Sequence, residues 1–309
     1  MNQQFKESFT KVMNLIYKVL RQVLFRLHGC FHKTVTINTM QGRMTMSTRD
    51  FGIAIQLFSA REYEYYYSLH ALKFLKSMNF IHSEDISMID IGANIGIISI
   101  GLILANEINQ AIAIEPESVN YNLLLQNVKQ NRITDKLICL QMAAGETEST
   151  LTMELSPCNP GDHRIRKKPV ENAAENLNES SRQTVKVKSY PLPRLLEQPE
   201  LKGLIPTKPS LIWIDVQGYE GYVFSGGREI LKSGIPTVSE IWPYGILRAG
   251  MSLEQFKSIV SSIWSDYWVE RRERFIRYPI DVFDRYLDEL GSDGHFENVI
   301  FTKVAPLKT

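Results

Sequence analysis

The sequence has few cysteines and no long apolar run, and each shortage excludes a class of protein. Its three cysteines are odd in number and lack metal-ligand spacing, so they predict neither a disulfide framework nor a zinc site. No stretch reaches the ~18 uncharged apolar residues that a transmembrane helix needs. The formal net charge of +1 gives no reason to expect nucleic acid as a partner. We therefore expect a cytoplasmic protein with reduced cysteines.

Acidic residues are missing from the N-terminal segment. No Asp or Glu occurs between Glu7 and Asp50, whereas this stretch contains seven basic residues. Residues 9–28 predict an amphipathic helix whose apolar positions are Val12, Ile16, Val19, Val23 and Leu27. Because its charges are basic and one face is apolar, we expect this helix to lie peripherally on an anionic membrane surface. Three alternatives stay open: docking on the catalytic domain, docking on a second subunit of a homo-oligomer, and a mitochondrial targeting segment.

The rest of the chain alternates between strand and helix patterns. Residues 34–80 predict an accessory hairpin and helix after the basic helix of residues 1–33. From residue 81 to 309 the pattern is β-α-β-α, which predicts an α/β fold with a mostly parallel, Rossmann-like sheet covered by helices. A polar segment, 156–184, predicts a loop insert. The expected strands are 87–91, 111–115, 136–142, 211–216 and 236–241, with two closing strands at 268–272 and 298–303.

Two strand ends suit a nucleoside cofactor. The first strand runs into D-I-G-A-N-I-G at 90–96, where glycines let the backbone turn close to a ligand. The second ends in Glu115, and a carboxylate there accepts hydrogen bonds from ribose hydroxyls. The glycine spacing differs from the G-x-G-x-x-G of dehydrogenases, which disfavours that class. An alternative makes Asp90 a helix cap and the glycines plain turns. The expected cofactor residues are Asp90, Gly92, Asn94, Gly96, Glu115, Pro116 and Ala143.

Three blocks resemble the FkbM family of S-adenosylmethionine-dependent methyltransferases. The first is 90–96. The third, I-D-V-Q-G-Y-E at 214–220, is similar to the family's I-D-V-E-G-x-E. The resemblance implies a seven-stranded methyltransferase sheet, S-adenosylmethionine as cofactor, and O-methylation of a hydroxyl on a glycan or natural product, as in polysaccharide biosynthesis. The second block, similar to E-P-x-x-x-N-x-x-x-L-x-x-N-x-x-x-N, consists of Glu115, Pro116, Asn120, Leu124, Asn127 and Asn131.

Asp215 is the expected catalytic base. It ends the fourth strand beside the crevice where the methyl group should lie, and an aliphatic hydroxyl needs its proton removed. His163 is the second candidate, because similar N-x-G-x-H-R loops occur in the family. Many members have Glu where this chain has Gln217, and glutamine keeps the hydrogen-bonding shape but loses the charge. The expected acceptor-binding residues are Arg164, Gln217, Glu220 and Glu240.

Other roles for these residues stay open. Asp215 with Glu240 would hold a divalent metal that polarises the hydroxyl, although no metal is indicated. Asp215 would otherwise cap a helix, and His163 would be a surface residue of a mobile loop. The competing function is a non-catalytic cofactor-binding or scaffold protein, for which Gln217 is the only hint. Five aromatic residues would stack on a sugar or pack in the core: Tyr63, Tyr65, Tyr66, Trp242 and Tyr244.

Overall fold

The computed structural model describes residues 3–82, 84–166, 179, 182–201 and 209–303. Residues 167–178, 180 and 181 of the polar insert expected at 156–184 therefore lie outside the described residues. The N-terminal extension consists of α1 (Gln3–Gly29), the hairpin strands β1 (Thr34–Thr39) and β2 (Gly42–Ser47), α2 (Ile53–Ala60) and α3 (Tyr65–Ser77).

The remaining elements alternate along the chain. The strands are β3 (Ser87–Ile91), β4 (Gln110–Ile114), β5 (Leu137–Leu140), β6 (Ala143–Ala144), β7 (Ser149–Leu155), β8 (Arg164–Ile165), β9 (Gln183–Tyr190), β10 (Leu211–Ile214), β11 (Thr237–Ile241), β12 (Asp266–Arg271), β13 (Arg274–Pro279) and β14 (Glu297–Thr302). The helices are α4 (Ile97–Leu104), α5 (Ser118–Gln130), α6 (Leu192–Leu196), α7 (Glu220–Gly226), α8 (Arg228–Leu231), α9 (Pro243–Arg248), α10 (Leu253–Ile263) and α11 (Phe283–Leu290).

The main sheet has the order β13-β12-β14-β11-β10-β3-β4-β5. Strands β11, β10, β3, β4 and β5 are parallel, which confirms the expected α/β class with a mostly parallel sheet. The sheet has eight strands rather than the expected seven, because the chain reverses at Arg272 and Glu273 and adds β13 to the edge. Both turn residues have positive φ, as a tight type I′ hairpin requires, but neither is the Gly or Asn that usually reveals such a turn.

A second sheet, β6-β9-β7-β8, was not expected from the sequence. Strand β7 pairs antiparallel with β9, and the polar insert connects them. The start of the insert returns as β8 beside β7, so that Met153 lies opposite Ile165. Both side chains are buried and join the core formed on the main sheet.

Asparagines of α5 attach three separate segments to the helix. The side chain of Asn127 is fully buried and bonds both backbone groups of Thr45, at 2.7 and 3.1 Å, and the carbonyl of Ile95 at 2.9 Å. Asn131 bonds both backbone groups of Arg43, and the Asn120 amide donates to the Pro160 carbonyl. The block that resembles the family's asparagine run therefore fixes the hairpin and the site loops in place.

Helix α1 docks on α2 through a narrow face. Phe25 is fully buried and packs on Phe58 and Phe51, with ring centroids 5.4 and 6.5 Å apart. Arg21 donates a hydrogen bond to the Ser59 carbonyl. Among the described residues, no helix combines the length and apolarity needed to cross a membrane.

We expect Asn127→Ala to lower the free energy of unfolding by about 3 kcal/mol, because it leaves three buried backbone groups without their partner. Asn122→Ala is the matched control, since Asn122 lies exposed on the same helix and its change should stay within about 0.5 kcal/mol. Urea unfolding followed by circular dichroism measures both. Equal losses in the two variants would contradict the role of Asn127.

Candidate functional site

A cleft of about 650 Å³ opens at the carboxyl ends of β3, β4 and β10. This edge is where the strand order reverses, because β4 and β5 follow β3 on one side and β10 and β11 lie on the other. Parallel α/β sheets bind ligands at this place. Five of the expected cofactor residues line the cleft: Gly92, Asn94, Glu115, Pro116 and Ala143.

Gly92 marks a close approach of two turns. Its φ is +86°, and a Cβ atom there would lie 1.8 Å from the carbonyl oxygen of Asp215. No other residue fits, so this glycine sets the distance between the β3 and β10 turns. Asp90 and Gly96 lie behind the cleft. Asp90 is buried near the end of β3, and burial raises its pKa to about 7, against the lowering effect of Ser99 in the first turn of α4.

Glu115 is fixed by the backbone at the end of β4. Its carboxylate accepts hydrogen bonds from the amides of Asn94, at 2.9 Å, and Glu117, at 2.8 Å. Burial raises its pKa to about 8, against the lowering effect of these two hydrogen bonds. Each oxygen accepts one backbone hydrogen bond and keeps a second lone pair for a ligand hydroxyl.

His163 also lines the cleft, but as a hydrogen-bond donor. Its Nδ1 accepts from the amide of Ser156 at 3.0 Å, which places the proton of the neutral ring on Nε2. Burial lowers the pKa of the ring to about 4, so the neutral form prevails at ordinary pH. A neutral ring whose only accepting nitrogen is occupied is a poor base, and this geometry favours Asp215.

A second cavity of about 630 Å³ adjoins the cleft and shares Asp215, Gln217, Ile53 and Gly161 with it. Asp215 therefore lies at the boundary between the two spaces. The other residues that line the second cavity include Tyr63, Asp162, Arg164, Glu240, Trp242 and Phe296.

Gln217 links two buried carboxyl groups in this second cavity. Its side-chain nitrogen donates to Asp215 Oδ1 at 2.6 Å and to Glu240 Oε1 at 2.9 Å. Burial raises the pKa of Asp215 to about 6. Burial, followed by the charge of Asp215, raises the pKa of Glu240 well above its usual value. The pair thus retains a proton more readily than exposed carboxylates do.

The metal alternative finds no support in this geometry. The amide nitrogen of Gln217 lies between the two carboxylates that would have held the ion. Across the described ranges, no group of three or more His, Cys, Asp or Glu side chains is placed to bind a metal.

Two expected acceptor-binding residues are instead held by the protein. Glu220 is fully buried and accepts from the amides of Val216 and Gly218, so it fixes the turn after β10 and lines neither cavity. Arg164 pairs with both Asp162 and Glu179, and its guanidinium lies 4.5 Å from the Trp242 ring centroid. It lines the second cavity while holding Trp242 in place. The sequence indicated that both residues lie near strand or loop ends, but it gave no sign of the groups that they contact.

The N-terminal extension contributes to the site, and sequence reasoning named Tyr63 there but missed Ile53 and Glu64. Ile53 of α2 lines both cavities, and Tyr63 lines the second one. Glu64 follows Tyr63 directly in the chain. Burial, together with the charge of Asp215, raises the pKa of Glu64 to about 7. Glu64 has a left-handed φ of +54°. No local sequence pattern indicates that it lies near Asp215, which is about 150 residues later in the chain. Tyr65 and Tyr66 line neither of these two cavities, and Tyr244 donates to Glu179 instead.

Solved methyltransferase structures align with this chain at low sequence identity. A crystal structure of an FkbM methyltransferase from Methylobacillus flagellatus aligns at 19% identity and a TM-score of 0.42, covering 80% of this chain and 52% of that one, so this chain spans about half its length. A precorrin-6y C5,15-methyltransferase from Geobacter metallireducens aligns at 12% identity and a TM-score of 0.38, covering 77% and 87%. No protein of curated function matches the sequence.

The family model described as "Methyltransferase FkbM domain" matches residues 90–275, more than half of the chain. The match begins at Asp90 in β3 and includes the turns that carry Glu115, Asp215 and Glu240. The chain therefore belongs to the FkbM methyltransferase family.

Proposed function

We propose that this protein is an S-adenosylmethionine-dependent O-methyltransferase that acts on a hydroxyl group of a glycan or a related natural product. One observation carries the proposal: Asp215 lines both the cleft with the expected cofactor residues and the adjoining cavity. A base at that boundary reaches an acceptor hydroxyl directed toward a methyl donor.

The cleft fits S-adenosylmethionine. Gly92 lets the backbone turn without a side chain in the cleft, and the free lone pairs of Glu115 suit the two ribose hydroxyls. The ring of His163 adds a hydrogen-bond donor, Nε2–H, to the same cleft. When bound, the cofactor supplies an electrophilic methyl group, so the protein needs only to align the acceptor and remove its proton.

Asp215 would take that proton. Gln217 donates to one of its oxygens, which fixes the carboxylate plane, and the other oxygen remains for the acceptor. Burial raises the pKa of Asp215 toward the pKa of a hydroxyl group, and a carboxylate with a higher pKa is a stronger base. Asp215 acts as a base only while it is ionised. Glu240, whose pKa is raised further, would keep its own proton and so spare Asp215 a second negative neighbour.

The second cavity suits a sugar or polyol. Tyr63, Trp242 and Phe296 offer aromatic surface for the apolar face of a ring, while Asp215 and Glu240 accept from hydroxyl groups. A scaffold without catalysis remains the competing function. It is distinguished by an absence of cofactor turnover with every acceptor despite cofactor binding.

We expect Glu115→Gln to weaken S-adenosylmethionine binding by roughly tenfold to a hundredfold, because one of the two carboxyl oxygens that would accept from the ribose and the backbone becomes an NH2 donor. Glu146→Ala is the control, since Glu146 is exposed. Calorimetry measures both. Unchanged affinity in Glu115→Gln, with an unchanged melting temperature, would contradict the assignment.

We expect kcat to rise with pH up to about 6 and to level off above it, because Asp215 must be ionised to accept a proton and its pKa is about 6. Asp215→Asn should lower kcat by roughly a hundredfold or more and leave cofactor affinity nearly unchanged. The measurement uses an acceptor found by screening hydroxyl compounds for cofactor turnover, with Asp135→Asn as the exposed control. Full activity in Asp215→Asn together with its loss in His163→Ala would reverse the two roles.

We expect Gln217→Glu to destabilise the protein more at about pH 8 than at about pH 5. A third carboxyl beside Asp215 and Glu240 has a folded-state pKa above its unfolded value, so its penalty grows as pH rises above about 4.3. The loss at the higher pH should reach about 2 kcal/mol. Urea unfolding at both pH values measures it, with Gln56→Glu on the exposed face of α2 as control. A pH-independent difference would show that Gln217 does not separate these charges.

A further inference from the structure

The apolar face of α1 is turned to solvent. Eight side chains, each between 44% and 62% exposed, lie along the helix at spacings of three and four residues. We call them the exposed stripe: Val12, Leu15, Ile16, Val19, Leu20, Val23, Leu24 and Leu27. A monomeric protein rarely leaves a continuous apolar surface of this kind open to water, so its normal surroundings include something that covers it.

The described part of the chain does not cover the stripe. Helix α1 contacts α2 through Phe25 and Arg21, which lie on the other side of the helix. The stripe extends over sixteen residues, from Val12 to Leu27, and its two ends are about 22 Å apart at the rise of an α-helix. Phe31, which is 83% exposed, follows at the same end of α1.

The charges of the N-terminal segment that contains the stripe have one sign. No acidic residue occurs between Glu7 and Asp50, and five basic side chains in this stretch are exposed. Arg26 lies on α1 itself, next to the stripe, with its guanidinium 5.3 Å from the Phe51 ring centroid. The exposed basic residues are Lys18, Arg26, Lys33, Arg43 and Arg49.

We propose that α1 binds flat on an anionic lipid surface, with the exposed stripe buried at the headgroup boundary and the basic residues against the lipid phosphates. A helix with a broad apolar face and only basic charges beside it has the two properties that such binding requires. Because Phe25 and Arg21 hold the opposite face on α2, the helix lies along the surface and carries the catalytic domain with it.

A second copy of this chain fits the stripe less well. Two stripes packed face to face would bring Arg26 of each copy, which lies next to the stripe, into or beside the apolar contact. No acid within residues 8–49 is present to pair with them, so the like charges would oppose association. An anionic lipid surface turns the same charges into an attraction.

The position of α1 relative to the site adds to the argument. The amide of Phe51 donates to the carbonyl of Cys158 at 2.7 Å, just before the site loop that carries Gly161 and His163. Ile53 of α2, the helix that holds α1, lines both cavities. A helix bound to a lipid surface would therefore be connected through α2 to the loop that borders the acceptor cavity.

Co-sedimentation of the full-length chain with vesicles tests the proposal. The vesicles are phosphatidylcholine alone or phosphatidylcholine with phosphatidylglycerol. We expect binding to the anionic vesicles at low salt, weak binding to the neutral ones, and release as salt is added. The double variant Leu20→Glu with Leu27→Glu should bind the anionic vesicles at least roughly tenfold more weakly, because two charges enter the apolar face.

The double variant Leu125→Glu with Ile276→Glu is the matched control, since both residues are exposed apolar side chains elsewhere and the charge change is identical. It should bind vesicles as the unmodified chain does. Equal melting temperatures establish that both variants fold. If the unmodified chain stays in the supernatant at low salt, or the stripe variant binds as well as the control, the proposal is wrong. A dimer in light scattering that only the stripe variant dissociates, without vesicle binding, would instead assign the stripe to a second copy.

Discussion

Two carboxyl groups that end neighbouring parallel strands must coexist in a buried space, and the side chain of Gln217 makes this arrangement stable. Strands β10 and β11 pair directly, so Asp215 and Glu240 are forced into proximity by the sheet itself. One amide nitrogen donates to both. The turn that places it depends on a left-handed φ at Gln217 and at Gly218, and Glu220 secures that turn through two backbone amides. A glutamate at this position would add a third carboxyl group where the glutamine adds a donor.

The same edge of the sheet explains why the two cavities share a wall. The β3 turn has a glycine at Gly92, where the carbonyl of Asp215 occupies the place of a side chain. This contact brings the expected cofactor residues and the expected base within one continuous space, on opposite sides of the point where the strand order reverses. Because the two turns touch, a change in either one would shift the boundary between cofactor and acceptor. Backbone packing therefore sets the chemistry as much as the carboxylates do.

The central strands were predictable because their signals are local. Strands β3, β4, β10 and β11 are short apolar runs that end in glycine or acidic residues, and the parallel arrangement follows from the helices between them. The second sheet was missed because β7 and β9 are separated by the polar insert, so their pairing has no local pattern. The contributions of Ile53 and Glu64 were missed for the same reason. Their contact with the site depends on how the hairpin packs on α5, through the buried Asn127, and this packing is not encoded within either segment alone.

The N-terminal helix shows the limit of reading periodicity as packing. Its apolar pattern indicates a helix with one apolar face, but the pattern does not say what that face contacts. In the structure the helix is held on α2 by the face of Phe25 and Arg21, while the apolar stripe remains open. A core-facing stripe would have been expected to carry charges of both signs on its solvent side, as ordinary surface helices do. The absence of acidic residues over the same segment, which the sequence already shows, supports the proposed lipid-binding face over a packing face, and the exposure of the stripe in the structure adds to that support.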